Sequence, residues 1–322
     1  LSAKLAISRN WALFWIVSSN RTKGASQVEK SKSDPLPRVI AWSAVIASAF
    51  PEIVWRETGH RNSLWFAAIE SLVLLLVAFA VLPFPRVRGL ARFLFAIAAL
   101  NFAWDLLVPL IGRTSFVHGL SQQASWGARL FIERMMTVSG VLLLGLTLIG
   151  SGSTRRDLFL CRGNLAAPAQ PIPFLGLRNS IPWTWFGPGL ILVFGGALSA
   201  FLYFMVRPDF SASGRILRFL PWILLLAALN AANEEFQFRN VLLAHLRKVF
   251  SPAEAVLLTA VLFGLGHFYG QPSGPLGVVM AGFAGWIWAR SMIETGGIVW
   301  AFAIHMVQDI IIFSFLAVAT GR

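Results

Sequence analysis

Residues 216–238 read ILRFLPWILLLAALNAANEEFQF, and this stretch decides the fold. From Phe219 to Ala232 it carries no charge, and its apolar residues are not confined to one amphipathic stripe. It is long enough to cross a hydrocarbon core of roughly 30 Å at about 1.5 Å per residue. A water-soluble fold has no need of such a block. Working outward, similar blocks recur at 39–55, 64–84, 90–111, 131–150, 184–206, 253–268, 275–290 and 297–319. The first is short and contains Pro51 and Glu52, so a total of eight fits as well as nine. The expectation is an all-α, polytopic transmembrane helical bundle of about 8–9 spans, with the lipid bilayer as its solvent.

Composition agrees. Hydrophobic residues make up 57% of the 322 positions and charged residues 13%, against about 25% charged in soluble domains. The net charge of +13 would suit nucleic acid, but the basic residues sit in short segments between apolar blocks, the pattern that orients a membrane protein. A cytoplasmic N-terminus places Arg86, Arg88, Arg155, Arg156, Arg247 and Lys248 inside and leaves fewer basic residues opposite. The reading is therefore a multi-pass protein of the cell (inner) membrane that binds no nucleic acid. Cys161 is the one cysteine, which excludes an intrachain disulfide and a cysteine metal cluster.

Four regions follow. Residues 1–36 form a basic N-terminal arm, read as flexible or surface-lying and not as a cleaved signal peptide. Residues 37–150 are accessory transmembrane helices. Residues 151–182 are a Pro/Gly-rich loop in which Pro168, Pro171, Pro173 and Pro182 prevent a regular helix. Residues 183–322 form the core. No internal repeat is visible.

Ionisable groups inside apolar spans are the informative exceptions, because each central Asp, Lys or Arg costs about 2.5–3.5 kcal/mol on insertion scales. The core carries three such clusters. In Asn233-Glu234-Glu235-Phe236-Gln237-Phe238-Arg239, Glu235 and Arg239 share a helical face and can pair. Glu234 is rotated about 100° away, free to face a cavity as a general base. In Phe263-Gly264-Leu265-Gly266-His267, Phe263 lies one turn before His267 and can pack around it. Gly264 and Gly266 permit close backbone approach. Ser251-Pro252-Ala253-Glu254 starts that helix, with Ser as cap, Pro at the first position and Glu reaching back. In His305-Met306-Val307-Gln308-Asp309, His305 and Asp309 face the same way. Taken singly, each cluster also reads as an interfacial helix end or a polar pair binding one helix to another.

In order and spacing together, the three clusters resemble the CPBP family, the CaaX-protease and bacteriocin-processing intramembrane proteases. That family shows E-E-x-x-x-R, then F-x-x-x-H, then H-x-x-x-N or, less often, D. Here these are Glu234-Glu235…Arg239, Phe263…His267 and His305…Asp309, with the small-residue run Ala281-Gly282-Phe283-Ala284-Gly285 between the last two. The resemblance covers about 222–312. Asn240 stands where many members have Gly, and Asp309 where many have Asn.

The resemblance implies an intramembrane endopeptidase of glutamate type acting on a membrane-anchored protein or peptide, without a cofactor. Glu234 and His267 would activate water. His305, oriented or assisted by Asp309, would stabilise the oxyanion, and Glu235, Arg239 and Phe263 would hold the site together. A zinc alternative uses His267, His305 and a carboxylate, Asp309 or Glu234, as ligands. Two other classes compete: a non-catalytic scaffold or immunity protein, and a proton-coupled transporter, which repeated halves would favour. Glu52, Glu70, Asn101, Asp105, Glu133 and Arg134 are read as inter-helix or interfacial groups, and Trp183, Trp185, Trp286, Trp288 and Trp300 as interfacial belts and packing.

Overall fold

The computed structural model describes residues 35–60 and 64–320. The basic arm lies outside the described residues except for its last two positions, which begin the first helix. The first expected span is broken. Helix α1 (Pro35–Ala47) gives way to α2 (Phe50–Glu57), because Pro51 has no N–H to continue the ladder and is tolerated only in a first turn. There follow α3 (Leu64–Ala80), α4 (Arg88–Gly112), α5 (Ser115–Gln123) and α6 (Trp126–Leu146). Helix α5 was expected as loop; its start is capped by Thr114, whose hydroxyl accepts from the Val117 N–H at 3.3 Å. The core comprises α7 (Trp183–Val206), α8 (Gly214–Leu246), α9 (Pro252–Gly266), α10 (Gly274–Thr295) and α11 (Val299–Thr320).

Among the described residues the protein is all-helical apart from one short strand pair, but the expected count of spans is not reached by length and composition. Among the described residues, six helical segments are long and apolar enough to cross a membrane: α1 with α2, α4, α7, α8, α10 and α11. Helices α3 and α9 are apolar but shorter, at 17 and 15 residues. Helix α6, expected as a span, is not among the six; it carries Arg129, Glu133 and Arg134. The outer faces fit a lipid solvent, with Leu192, Val193 and Phe204 on α7 and Leu217 on α8 exposed.

Helix α8 stands at the centre, packed against α11, α6, α4 and α9. It runs eight residues past the expected end at 238, through a π-helical turn at Phe236–Leu243. Such widened turns are frequent at functional sites. Asn240 therefore sits inside a helix and not at its end; it is buried, and its Nδ2 donates to the Leu158 carbonyl. Helices α9 and α10 make the most extensive contact. A Cβ on Gly264 would lie 2.5 Å from the Val278 carbonyl oxygen, so only glycine fits there, whereas one on Gly266 would meet nothing within 4 Å. The start of α9 is partly as expected. The Ser251 hydroxyl accepts from the Glu254 N–H at 3.3 Å, but the Glu254 carboxylate turns away to Arg38 Nε on α1, 2.9 Å off.

Two sets of polar contacts position α8 and α11. The accessory helices are tied to α8 by a hydrogen-bonded chain: Trp104 Nε1 donates to Gln237 Oε1, Gln237 Nε2 to Asn233 Oδ1, and Asn233 Nδ2 to Thr137 Oγ1, each at 2.8 Å. The loop after α6 pairs β1 (Pro168–Ala169) with β2 (Ile181–Pro182) in antiparallel register. It straps the turn between α10 and α11: Trp300 Nε1 donates to the Leu165 carbonyl at 3.0 Å, and Cys161 Sγ to the Gly296 carbonyl at 3.1 Å. The start of α11, which carries His305, is thereby held.

Candidate active site

Three helices deliver the polar groups to one place. Glu234 and Glu235 come from α8, where the apolar run gives way to Asn230, Asn233 and the two carboxylates, all buried. His305 and Asp309 come from α11, also buried. His305 Nε2 lies 3.6 Å from Glu234 Oε2 and 3.5 Å from Asp309 Oδ2. These separations are too long for direct hydrogen bonds of normal strength and leave the Nε2 edge turned toward both carboxylates. On the other side of the ring, Nδ1 donates to Glu235 Oε1 at 2.8 Å.

His267 closes the last turn of α9. Its Nδ1 lies 2.8 Å from the Phe263 carbonyl oxygen. A carbonyl can only accept, so Nδ1 carries the proton, and in the neutral ring Nε2 is left with a free lone pair. His267 lines the same cavities as Glu234 and Asp309.

The supporting residues form an aromatic cage. Arg239 is fully buried and pairs with Glu235 at 3.4 Å. Its N–H groups make no hydrogen bond among the described residues. Instead the guanidinium lies over the Phe263 ring at 4.2 Å and the Trp288 ring at 5.0 Å, contacts worth about 2 kcal/mol when desolvated. Phe263 packs on His267 with ring centres 4.3 Å apart, as its spacing suggested. Trp288 stacks flat on His305, 3.9 Å between centres at 11°. A Cβ on Gly285 would lie 2.7 Å from Arg239 Nη2, so the small-residue run leaves room for the guanidinium.

Two cavities meet at these side chains. One of about 320 Å³ is mostly apolar, walled by Phe194, Leu198, Met280 and Phe283 of α7 and α10. The other, of about 730 Å³, is lined by Glu52, Arg56, Asn101, Asp105 and Arg134 of the accessory helices. Asn230, Glu234, His267 and Asp309 line both. An apolar cavity, a larger vestibule that carries charged groups, and ionisable side chains between them can hold a hydrophobic chain against a water molecule.

Among the described residues no three His, Cys, Asp or Glu side chains are grouped as metal ligands.

The seven residues singled out by sequence thus lie together; five others have surroundings that the sequence did not specify. Trp288 was assigned to belts and general packing; it is buried against His305, and its position one turn before Met292 on an apolar helix carries no sign of that. Trp183 is likewise buried, its Nε1 donating to Glu294 Oε2 at 2.8 Å. Asn230, whose Nδ2 donates to Asp309 Oδ2 at 3.0 Å, could have been found as a polar residue four before Glu234 on the same face. Of the accessory polar residues, Asn101 does bridge helices, donating from Nδ2 to the Ser48 carbonyl at 2.8 Å, while Glu52 pairs within its own helix with Arg56. Asp105 and Arg134 face the vestibule, a placement that spacing did not reveal.

Comparison with known families agrees with the motifs. The model of the Rce1-like family, described as type II CAAX prenyl endopeptidase Rce1-like, matches residues 216–311. The match spans α8 to α11 and is consistent with the CPBP resemblance. No curated protein and no solved structure matches the chain.

Proposed function

We propose that the chain is a glutamate-type intramembrane endopeptidase that cleaves a membrane-anchored protein or peptide by activated water. The reading is carried by one observation: Glu234, His267 and Asp309, from three helices, line both an apolar cavity and a larger, more polar one, and His305 lines the first. The Rce1-like match to the same helices supports protease chemistry, and the apolar helices support a multi-pass membrane protein. The distribution of basic residues supports a cytoplasmic N-terminus, and the reading is of a protein of the cell membrane.

In this mechanism water is held between Glu234 and the free Nε2 of His267. As its oxygen attacks the substrate carbonyl carbon, a proton passes to the Glu234 carboxylate. His305, with Nδ1 held by Glu235, presents Nε2–H in its doubly protonated form to the developing oxyanion. Collapse breaks the C–N bond, and the proton on Glu234 goes to the departing amine. Asp309, fixed by Asn230, flanks Nε2 and orients the ring. No step needs a metal.

The test is cleavage of membrane-anchored substrates by the purified protein in detergent, compared with Glu234→Gln, His267→Ala and His305→Ala. Cleavage by wild type alone supports the assignment. Undiminished cleavage by all three folded variants overturns it.

A further inference from the structure

Three segments far apart in the chain bring exposed cations to the end of the bundle where α4 begins and α8 ends. Arg88 and Arg92 open α4, Arg155 and Arg156 lie in the loop after α6, and Arg247 and Lys248 follow α8; all six are exposed. The loop is their hub. Arg92 Nη1 donates to the Ser151 carbonyl at 3.0 Å and Nη2 to the Gly150 carbonyl at 3.2 Å. Lys248 Nζ donates to Ser153 Oγ at 2.8 Å, and the Arg247 guanidinium lies 4.7 Å over the Phe159 ring. Carbonyls, a hydroxyl and a ring leave the positive charges uncompensated. None of the six forms an ion pair among the described residues. The acids between 80 and 92, 151 and 162, and 244 and 254 are Asp157 and Glu254. Glu254 is taken by Arg38. Asp157 accepts from the Thr154 N–H and hydroxyl, each at 2.8 Å, and the charges of both Lys248 and Arg247 already act on it.

We propose that this face binds the phosphate headgroup of an anionic phospholipid, which bridges the loop after α6 to the ends of α4 and α8. The proposal stands apart from the proteolytic reading. Orienting a chain in a bilayer needs only an excess of basic residues on one side; it does not need them gathered around one loop. Like charges held together repel unless an anion lies between them, and each Lys or Arg beside an anionic headgroup contributes about fivefold in affinity. The position selects a lipid. Arg92 sits near the start of one span and Arg247 directly after the last residue of another, the depth at which headgroups lie. Leu82 and Phe84, 44% and 61% exposed, precede Arg88 in the connection from α3 and offer apolar surface that acyl chains cover. Occupation also bears on the candidate active site through the course of the loop. Asn240 in the π-helical turn of α8 donates to the Leu158 carbonyl, two residues after Arg156, and the loop goes on to strap the turn before α11.

The test follows thermal unfolding of the full chain in an uncharged detergent. The probes are short-chain phosphatidylglycerol, phosphatidylcholine of the same chain length, inorganic phosphate and an oligodeoxynucleotide. Phosphatidylglycerol is expected to raise the melting temperature at a concentration at least about tenfold below that of phosphatidylcholine, and about 0.5 M salt to erase the difference. Replacing Arg155→Gln, Arg156→Gln, Arg247→Gln and Lys248→Gln together removes the preference. Arg113→Gln with Arg207→Gln, exposed at the far ends of α4 and α7, keeps it. Amide hydrogen exchange over residues 151–172 is expected to slow when phosphatidylglycerol binds. Equal shifts with the two lipids, a preference retained in the fourfold variant, or the same shift with inorganic phosphate or the oligonucleotide overturns the site; unchanged exchange in the loop overturns the bridge. The comparison of lipids on wild type needs no variant to fold. None of these readouts depends on cleavage, so their failure and the failure of the proteolytic reading are separate results.

Discussion

His305 Nδ1 and Glu235 Oε1 lie 2.8 Å apart, joining two helices across 70 residues of sequence. The contact places the proton on Nδ1 and leaves Nε2 facing Glu234 and Asp309. Glu235 also holds Arg239, so one carboxylate orients the histidine and balances the buried cation. Glu235→Gln can still accept from Nδ1 but strands the Arg239 charge. We expect a melting temperature several degrees lower and kcat reduced at least about 100-fold. Removal of one partner of a buried pair costs about 3–5 kcal/mol. An unchanged melting temperature would remove the second role.

The cage around Arg239 has no slack at Gly285. A methyl there meets Arg239 Nη2 at 2.7 Å and Phe263 Cδ1 at 3.0 Å. Gly285→Ala is expected to destabilise the protein by about 1–3 kcal/mol through overpacking and to lower cleavage with it. Gly266→Ala, whose methyl meets nothing within 4 Å, serves as the control and should match wild type in denaturation and activity assays.

Asp309 accepts from Asn230 and flanks His305 without touching it closely. An asparagine at 309 can accept the same hydrogen bond through its amide oxygen. Asp309→Asn is therefore expected to keep cleavage within about tenfold of wild type, whereas Asp309→Leu strands the Asn230 amide, a buried group whose loss of partner costs about 1–3 kcal/mol. Equal loss in both variants would show that the charge itself is required.

The accessory helices are held to α8 by the chain from Trp104 through Gln237 and Asn233 to Thr137. Trp104→Phe keeps the ring and removes the donor to Gln237 Oε1. We expect about 1–3 kcal/mol lower stability from the unpaired acceptor, with kcat of the folded fraction unchanged, because Phe keeps an aromatic ring where Trp104 lines the vestibule and Gln237 and Asn233 line neither cavity. Denaturant titration read alongside single-turnover cleavage separates the two effects.

Glutamate chemistry makes no use of a metal. Cleavage is expected to be indifferent to a chelator such as EDTA added in excess. Loss of activity on chelation that returns with zinc would replace the mechanism by a metal-assisted one.

The amino-acid sequence by itself determined which segments are helical and apolar, because a bilayer leaves the backbone no partner but itself and tolerates charge only where it is paired or used. That constraint makes Glu234, Glu235, Arg239, His267, His305 and Asp309 stand out against their apolar neighbours. It determined span number less well, since α6 pairs apolar length with Arg129, Glu133 and Arg134, and α9 stops after 15 residues. Only the tertiary structure decided which partner each polar group takes. Glu235 reads locally as a mate for Arg239, and His305 as a mate for Asp309, yet the shortest contact in the cluster is between Glu235 and His305. Helical periodicity reports which residues share a face of one helix; it carries nothing about which face of another helix lies opposite. The same holds for Trp288 and Arg134, whose surroundings are built by the packing of α10 on α11 and of α6 against the core, contacts set by side-chain volume and glycine clearance between segments far apart in the chain.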